Sequence, residues 1–132
     1  MSPPRLVNPS SLGMPVGYSN GVVVESARLL FVAGQVGWDK DHKLVGPDFL
    51  RQFERALDNF LEVVTQSGGR PESVVQMRIY VTDKEEYLAR QKEIGSIWKS
   101  RMGRHYPAMA LVQVVALLET GAKVELEGTA AL

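Results

Sequence analysis

The chain has 132 residues, of which 45% are hydrophobic and 23% charged, and its 15 basic and 15 acidic side chains cancel. This length and composition are typical of one ordinary globular domain. Because the net charge is zero, electrostatics give no reason to expect nucleic acid or an anionic membrane as the main partner. The absence of cysteine excludes disulfides, thiolate nucleophiles and cysteine metal sites.

Metal and membrane sites are equally unsupported by the sequence. The two histidines, His42 and His105, lie in different predicted elements without ligand spacing, so we expect no zinc site. No apolar run has the length of a signal-peptide core or a membrane span, which predicts a cytoplasmic protein. The basic stretch "KSRMGRH" is interpreted as a solvated helix end whose cations suit the helix dipole.

The first half of the chain predicts two strands and a helix. Residues 1–17 hold four of the seven prolines and predict an irregular arm. The stretches "GVVVES" and "RLLFVAGQV" predict a hairpin joined near Ser26–Ala27, followed by the polar loop "GWDKDHKLVGPD". A helix is expected from Phe49 to Ser67, ending at Gly68–Gly69, because one apolar stripe recurs at helical spacing: Leu50, Phe53, Leu57, Phe60 and Val64.

The second half predicts three strands and one long helix. "SVVQMRIYVTD" alternates with period two, which indicates a strand with one apolar and one mixed face. A capping box near Thr82 or Asp83 starts a helix that is expected to run to about Met102, with Tyr87, Gln91, Ile94 and Trp98 on one stripe. "PAMALVQVVAL" is apolar on both faces, as expected of a central strand, and "ETGAKVELEGTAAL" turns at Thr120–Gly121 into a last strand.

The predicted order is β-β-α-β-α-β-β, an α+β domain spanning residues 1–132. Two helices of similar length suggest one sheet with both helices on the same face. On the other face Gln76, Arg78 and Tyr80 are too mixed for an internal core and suit a subunit interface. We therefore expect an oligomer.

Laid out in this order, the elements resemble the RidA/YjgF family of enamine/imine deaminases. The resemblance rests on "LFVAGQVG", "QFERALDNFLEVVTQSGG", "VVQMRIYVTD", "YPAM" and "AKVELEGTAAL", and it extends from about Tyr18 to Ala131. It implies a chorismate-mutase-like fold, a homotrimer whose sheets pack around the threefold axis, and ligand clefts between neighbouring subunits.

The resemblance also implies site residues and a reaction without a cofactor. In active members a glutamate in the last strand positions a water that attacks the imine carbon, and this glutamate corresponds to Glu125. A tyrosine near the N-terminus corresponds to Tyr18 and a cleft asparagine to Gln91. The substrate-binding set implied here is completed by Gly34, Gln35, Trp38, Pro107, Met109 and Leu111.

Met109 is the main departure from the family pattern. Active members place an arginine two residues after the proline, where it binds the substrate carboxylate, and this chain has Met109. Arginine is a charged, doubly donating fork, whereas methionine is a flexible, uncharged thioether. Loss of an anchor of roughly 1.5–3 kcal/mol would weaken a 2-imino acid substrate by one or two orders of magnitude.

Each of these residues also has an ordinary structural interpretation. Glu125 could face solvent on a terminal strand, Tyr18 could be a packing ring, and Gln91 could bind backbone at an interface. Met109 could be core packing or a cleft wall for a neutral group. Trp38 could stack on a ligand or anchor its loop. Arg78 could supply the missing cation or form an interfacial ion pair, and His105 could titrate in a cleft or cap a helix.

Three functions follow, and they are separable by experiment. The leading hypothesis is an imine/enamine deaminase with altered substrate preference, whose partners are small metabolites. The alternative is a metabolite-binding, regulatory protein without turnover. Endoribonuclease activity is the least supported, because the chain lacks a histidine pair and an aromatic–basic stripe.

Overall fold

The sheet that organises the molecule has four strands in the order β3-β6-β4-β5. A computed structural model describes residues 3–25 and 27–132. The strands are β1 Arg5–Val7, β2 Gly21–Val23, β3 Leu29–Val36, β4 Val74–Val81, β5 Ala108–Gln113 and β6 Val124–Ala131. The helices are α1 Phe49–Gln66, α2 Lys84–Ala89 and α3 Gln91–Met102, with 3-10 turns at Ser10–Leu12 and Pro71–Ser73. Strand β6 pairs antiparallel with β3 and β4, while β5 runs parallel to β4.

The core lies between one face of this sheet and helices α1 and α3, as the apolar periodicities predict. The stripe of α1 is buried at Phe53, Leu57, Phe60 and Val64, whereas Leu50 is half-buried. Helix α1 begins after Asp48, whose carboxylate accepts a hydrogen bond from the Arg51 amide at 3.1 Å. The alternating residues of β4 and β6 complete the core: Met77, Ile79, Val81, Val124 and Leu126. The α+β class and the placement of both main helices on one face are confirmed.

A buried glutamine ties α1 to two loops. The Gln52 Nε2 atom donates to the carbonyls of Gly46 at 2.8 Å and Gly121 at 3.1 Å, and its Oε1 atom accepts from the Lys123 amide at 2.8 Å. The helix also approaches the end of β3 so closely that only glycine fits at position 37. A Cβ at Gly37 would lie 2.5 Å from the Gln52 carbonyl oxygen. The hydrogen bonds from Gln52 to Gly121 and Lys123 fix the loop that leads into β6.

The other face of the sheet is exposed in the single chain and carries mixed side chains. Gln76, Arg78 and Tyr80 alternate on β4 away from the core, as predicted. Beside them Phe31 is 74% exposed. Such a surface suits the subunit interface expected from the sequence.

Two expectations for the first strands are wrong. Strand β2 pairs antiparallel with β1, Arg5↔Val23 to Val7↔Gly21, and forms no hairpin with β3. The arm expected to be irregular therefore contributes a strand and a 3-10 turn. Ala27 of the predicted hairpin turn is described, but Ser26 lies outside the described residues.

The predicted second helix and the predicted central strand also need correction. Arg90, with φ −117° and ψ 20°, separates α2 from α3. Strand β5 lies at the edge of the sheet and ends at Gln113. The last four residues of the predicted strand, "VVAL", lie outside it, and Val115 is fully exposed. Apolar residues on both faces made β5 resemble a central strand, and in the single chain they remain partly uncovered. Within the described ranges, every helix is too short or too polar to cross a membrane.

Candidate functional site: a carboxylate on one face and an apolar cavity on the other

Glu125 lies on the exposed face of the sheet, directly over Gly34. A Cβ at Gly34 would lie 1.8 Å from the Glu125 Oε2 atom, so only glycine leaves room for the carboxylate in this position. The strand register shifts between Val32 and Gln35, which brings this glycine beside β6. In the described chain the carboxylate of Glu125 has no hydrogen-bond donor, so it is available to a ligand or water.

The neighbouring carboxylate on the same face is occupied. Glu127 Oε1 accepts a hydrogen bond from the Tyr80 hydroxyl at 2.5 Å and lies 3.4 Å from Arg78 Nη1. The hydrogen bond to Glu127 raises the pKa of Tyr80. Arg78 thus forms an ion pair within the chain, and the interfacial ion pair that was one of its two interpretations stays a prediction. Of the two glutamates on this face, Glu125 is the one without a hydrogen-bond partner among the described residues.

Met109 lies on the opposite, helix-facing side of the sheet. Its register partner on β4 is Met77, which is fully buried in the core. Between β4, β5 and the two C-terminal helices is a cavity of about 330 Å³, bounded by Met109, Gln91, Tyr87, Ile94 and Trp98 among others. In the described chain no charged side chain lines it. Small-molecule sites start at about this volume.

Tyr18 lies next to this cavity because the residue after it is fixed to the start of β5. The Ser19 amide donates to the Pro107 carbonyl at 3.0 Å, and the Ser19 hydroxyl donates to the Tyr106 carbonyl at 2.6 Å. Tyr18 thereby lines a smaller hollow together with Met109 and Leu111. Pro107 is buried beneath this connection.

Gln35 and Trp38 lie in a third region of the molecule, at the β3 edge of the sheet. They line a shallow pocket with His42 and Asn59. The Trp38 ring stacks on His42 with centroids 4.2 Å apart, and Asn59 Nδ2 donates to the Trp38 carbonyl at 2.9 Å. Trp38 is therefore held in its loop, in line with its interpretation as a loop anchor.

The same loop is closed by Asp39. Its carboxylate accepts hydrogen bonds from the amides of Lys43 and Asp41, and these bonds lower the pKa of Asp39. Asp39 thus supports the loop that carries Trp38 and His42.

The single chain thus divides the nine candidate residues among three places. Glu125 and Gly34 touch on the exposed face, whereas Tyr18, Gln91, Pro107, Met109 and Leu111 surround the cavity region at the β5 edge. Gln35 and Trp38 lie at the β3 edge. The sequence analysis missed Tyr87, although the stripe it shares with Gln91, Ile94 and Trp98 indicated it: all four line the cavity.

Two other side chains have structural partners. His105 Nε2 lies 2.6 Å from the Val74 carbonyl, so the ring is held against the backbone of β4 and does not line the cavity. In the basic stretch at the end of α3, Arg101 binds Asp58 at 2.6 Å and Glu54 at 2.9 Å. These carboxylates raise the pKa of Arg101, with Asp58 the main cause.

A four-stranded mixed sheet with two main helices on one face and a cavity at one edge defines the class of this fold as a small α+β domain. Residues 10–132 match the family described as endoribonuclease L-PSP, and the chain belongs to this family, known also as RidA/YjgF. Protein DfrA from Myxococcus xanthus is 34% identical over 118 residues, which cover 86% of this chain and 83% of DfrA.

A second relative and a solved structure agree with this family assignment. The 2-iminobutanoate/2-iminopropanoate deaminase of Dermatophagoides farinae is 28% identical over 129 residues, which cover 96% of this chain and 95% of that protein. The crystal structure of the Rid-family protein YyfB from Yersinia pestis superposes with a TM-score of 0.87 at 33% identity, covering 99% of this chain and all of YyfB.

Proposed function

We propose that this protein hydrolyses a reactive imine or enamine to a carbonyl compound and ammonia without a cofactor. The observation that carries this proposal is the carboxylate of Glu125, fitted over Gly34 with no donor of its own in the described chain. The similarity to a protein named 2-iminobutanoate/2-iminopropanoate deaminase, over nearly all of both chains, supports the same chemistry.

Glu125 acts as the proton acceptor in this reaction. Water adds to the imine carbon while one of its protons passes to the Glu125 carboxylate and then to the nitrogen, which gives a carbinolamine. The hydroxyl proton then passes by way of the same carboxylate to the nitrogen, the C–N bond breaks, and ammonia leaves as C=O forms. The C=N bond is replaced by C=O with the consumption of one water and no change in oxidation state. A free carboxylate within reach of the water suffices for this role.

The complete site requires two copies of the chain. Glu125 lies on the exposed face of the sheet, whereas Met109 lines the helix-side cavity at the β5 edge, so one chain does not bring them together. We propose a homotrimer in which the β5 edge of one copy meets the Glu125 face of the next. The uncovered Phe31 and Val112 would be buried by this contact.

Met109 shifts the substrate preference toward a neutral group. A carboxylate entering a cavity lined by Met109 and Ile94 would lose its hydration without gaining a cationic partner. An uncharged substituent avoids this cost and gains dispersion contacts with the thioether.

The test compares two imines made in the assay by oxidases with catalase present. An amino-acid oxidase gives 2-iminobutyrate from 2-aminobutyrate, and a flavin amine oxidase gives the neutral benzaldimine from benzylamine. The signal is the imine remaining for capture by semicarbazide. We expect accelerated loss of the neutral imine and at most weak acceleration with 2-iminobutyrate. No acceleration with either imine at high protein concentration would contradict the proposal.

A non-catalytic metabolite binder is the second candidate, and the uncharged cavity favours it. A ligand that binds only the native state raises the unfolding temperature without turnover. In that case Glu125→Gln would leave ligand-induced stabilisation intact and no imine would be consumed. RNA cleavage is less well supported, because Glu54 and Asp58 already bind Arg101 of the basic stretch.

A further inference from the structure

One side chain that lines the cavity beside Met109 is a tyrosine, Tyr87. Tyr87 lies on α2 and its ring meets Phe49 edge-on, with centroids 6.5 Å apart and an interplanar angle of 84°. In the described chain the Tyr87 hydroxyl has no hydrogen-bond partner. The residue is half-buried, and burial raises the pKa of Tyr87.

The start of α2 holds this ring in position. Asp83 caps the helix, since its Oδ1 atom accepts hydrogen bonds from the amides of Glu85 at 3.0 Å and Glu86 at 3.2 Å. The Tyr87 amide in turn donates to the Asp83 carbonyl at 3.3 Å. The backbone that carries the ring is therefore fixed, and the contact with Phe49 restricts the ring itself, which limits the entropy lost on binding.

The break between α2 and α3 brings a second polar group to the same cavity. The Arg90 amide donates a hydrogen bond to the Tyr87 carbonyl. The Arg90 carbonyl accepts one from the Ile94 amide, so that α3 begins at Gln91. Gln91 also lines the cavity; its side chain is exposed and forms no hydrogen bond among the described residues. It offers both a donor and an acceptor.

We propose that Tyr87 is a specificity-determining residue that, together with Gln91, binds an uncharged polar group of the substrate. This group is a carboxamide, ester carbonyl or hydroxyl, and the rest of the substrate is an apolar chain or ring that packs against Ile94 and Trp98. The inference rests on the proposed imine hydrolysis, because it names the class of substrate for that site. In this site the hydrogen bonds of Tyr87 and Gln91 to a neutral substrate group take the place of the ion pair that an arginine would form with a substrate carboxylate.

The distinction from a carboxylate-binding site is physical. The Tyr87 hydroxyl and the Gln91 amide can each donate to an oxygen, but neither neutralises a negative charge removed from water. A neutral carbonyl loses less hydration and is satisfied by the same two donors. A ligand and its carboxylate analogue should therefore bind with clearly different affinity.

The test is calorimetric binding of two product-like pairs that need no turnover: 2-oxobutanamide with 2-oxobutyrate, and 2-oxo-2-phenylacetamide with phenylglyoxylate. We expect the wild-type protein to bind each amide about tenfold or more tightly than its acid. Tyr87→Phe, which keeps the ring contact with Phe49, should weaken the amides about threefold to tenfold and leave the acids unchanged.

Ser67→Ala is the control, because it deletes a hydroxyl just after α1 that binds the Val63 carbonyl, outside the lining of the cavity, and should not alter the amide-to-acid ratio. Equal affinity for amide and acid in the wild type, or an unchanged ratio in Tyr87→Phe, overturns the inference. Binding preference without imine turnover contradicts the proposed function alone. Turnover with a preference for the acids contradicts this inference alone.

Discussion

The Glu125 carboxylate lies where a side chain on Gly34 would have to be. The distance of 1.8 Å from Oε2 to a Cβ built on Gly34 is far below any possible contact, while the Cδ atom would be at 2.8 Å. The obstacle is the end of a flexible side chain, so the carboxylate can swing aside while the backbone stays. This pair therefore allows the carboxylate to be displaced without being removed.

Gly34→Ala is expected to lower imine turnover nearly as much as Glu125→Gln, because both remove the carboxylate from its position over β3. Its unfolding temperature should change little. Gly21→Ala is the control, since a Cβ there meets only Val7 atoms at 3.7 Å or more. Full activity in Gly34→Ala would mean that the position of the carboxylate over β3 is irrelevant to turnover.

The two glutamates of β6 should respond differently to the same substitution. Glu125→Gln removes a proton acceptor and is expected to lower kcat by about 10²–10⁴-fold. Glu127→Gln acts on a carboxylate already bound by Tyr80 and Arg78 and should retain most activity. Steady-state kinetics of both variants on the neutral imine decides this, and equal losses would assign no special role to Glu125.

Tyr80 gives a pH-dependent signature of the exposed face. Its pKa is raised chiefly by the hydrogen bond to Glu127, so the stabilisation that this shift provides is complete below the ordinary tyrosine value of about 10 and is lost as pH rises through the folded value. In Glu127→Gln the Tyr80 pKa should move back toward the ordinary value. Ultraviolet titration of tyrosinate, with Tyr80→Phe to identify the signal, measures the change.

The sequence predicted those elements whose periodicity reflects one local contact surface. The stripe of α1 and the alternation of β4 and β6 are set by burial against the same core, and their ends lie within a few residues of the observed ones. The partner of β2 depends instead on the distant Arg5–Val7 segment, which short apolar runs do not specify. The break at Arg90 has no glycine or proline to mark it, and the stripe from Tyr87 to Trp98 continues across it.

The sequence predicted one site, and the single chain brings only some of its residues together. Gln91 and Met109 were expected in one cleft and line one cavity, while Trp38 lies at the opposite edge of the sheet. Tyr87 was placed on the correct stripe without a role, because periodicity does not distinguish a ring that fills a core from one that lines a cavity.

Gln52→Leu tests the connection that shapes the loop before β6. The substitution leaves the Gly46 and Gly121 carbonyls and the Lys123 amide without their partner, so the free energy of unfolding should fall by at least about 3 kcal/mol. Gln66→Leu, on the exposed end of α1, should change it by no more than about 0.5 kcal/mol. Urea denaturation of both variants provides the comparison, and equal stabilities would remove Gln52 from this role.

Mixed oligomers test whether the site is shared between copies. Glu125→Gln lacks the proton acceptor, and Met109→Glu places a negative charge in the apolar cavity, so each variant alone should be inactive. Co-expression should restore activity, because in the proposed trimer every mixed assembly would contain one cleft with Glu125 from one copy and Met109 from another. Absence of activity in verified mixed oligomers would place both residues of a working site in the same chain.

The most direct measurement concerns Met109 and the charge of the substrate. We predict that Met109→Arg raises kcat/KM for 2-iminobutyrate about tenfold to a hundredfold, as expected for a charge-assisted anchor of roughly 1.5–3 kcal/mol, and lowers it for the neutral benzaldimine. Met109→Leu, which keeps the cavity uncharged, should leave the preference as it is in the wild type. An unchanged ratio of the two kcat/KM values in Met109→Arg, in a variant that folds and assembles normally, would contradict the claim that Met109 sets the substrate preference.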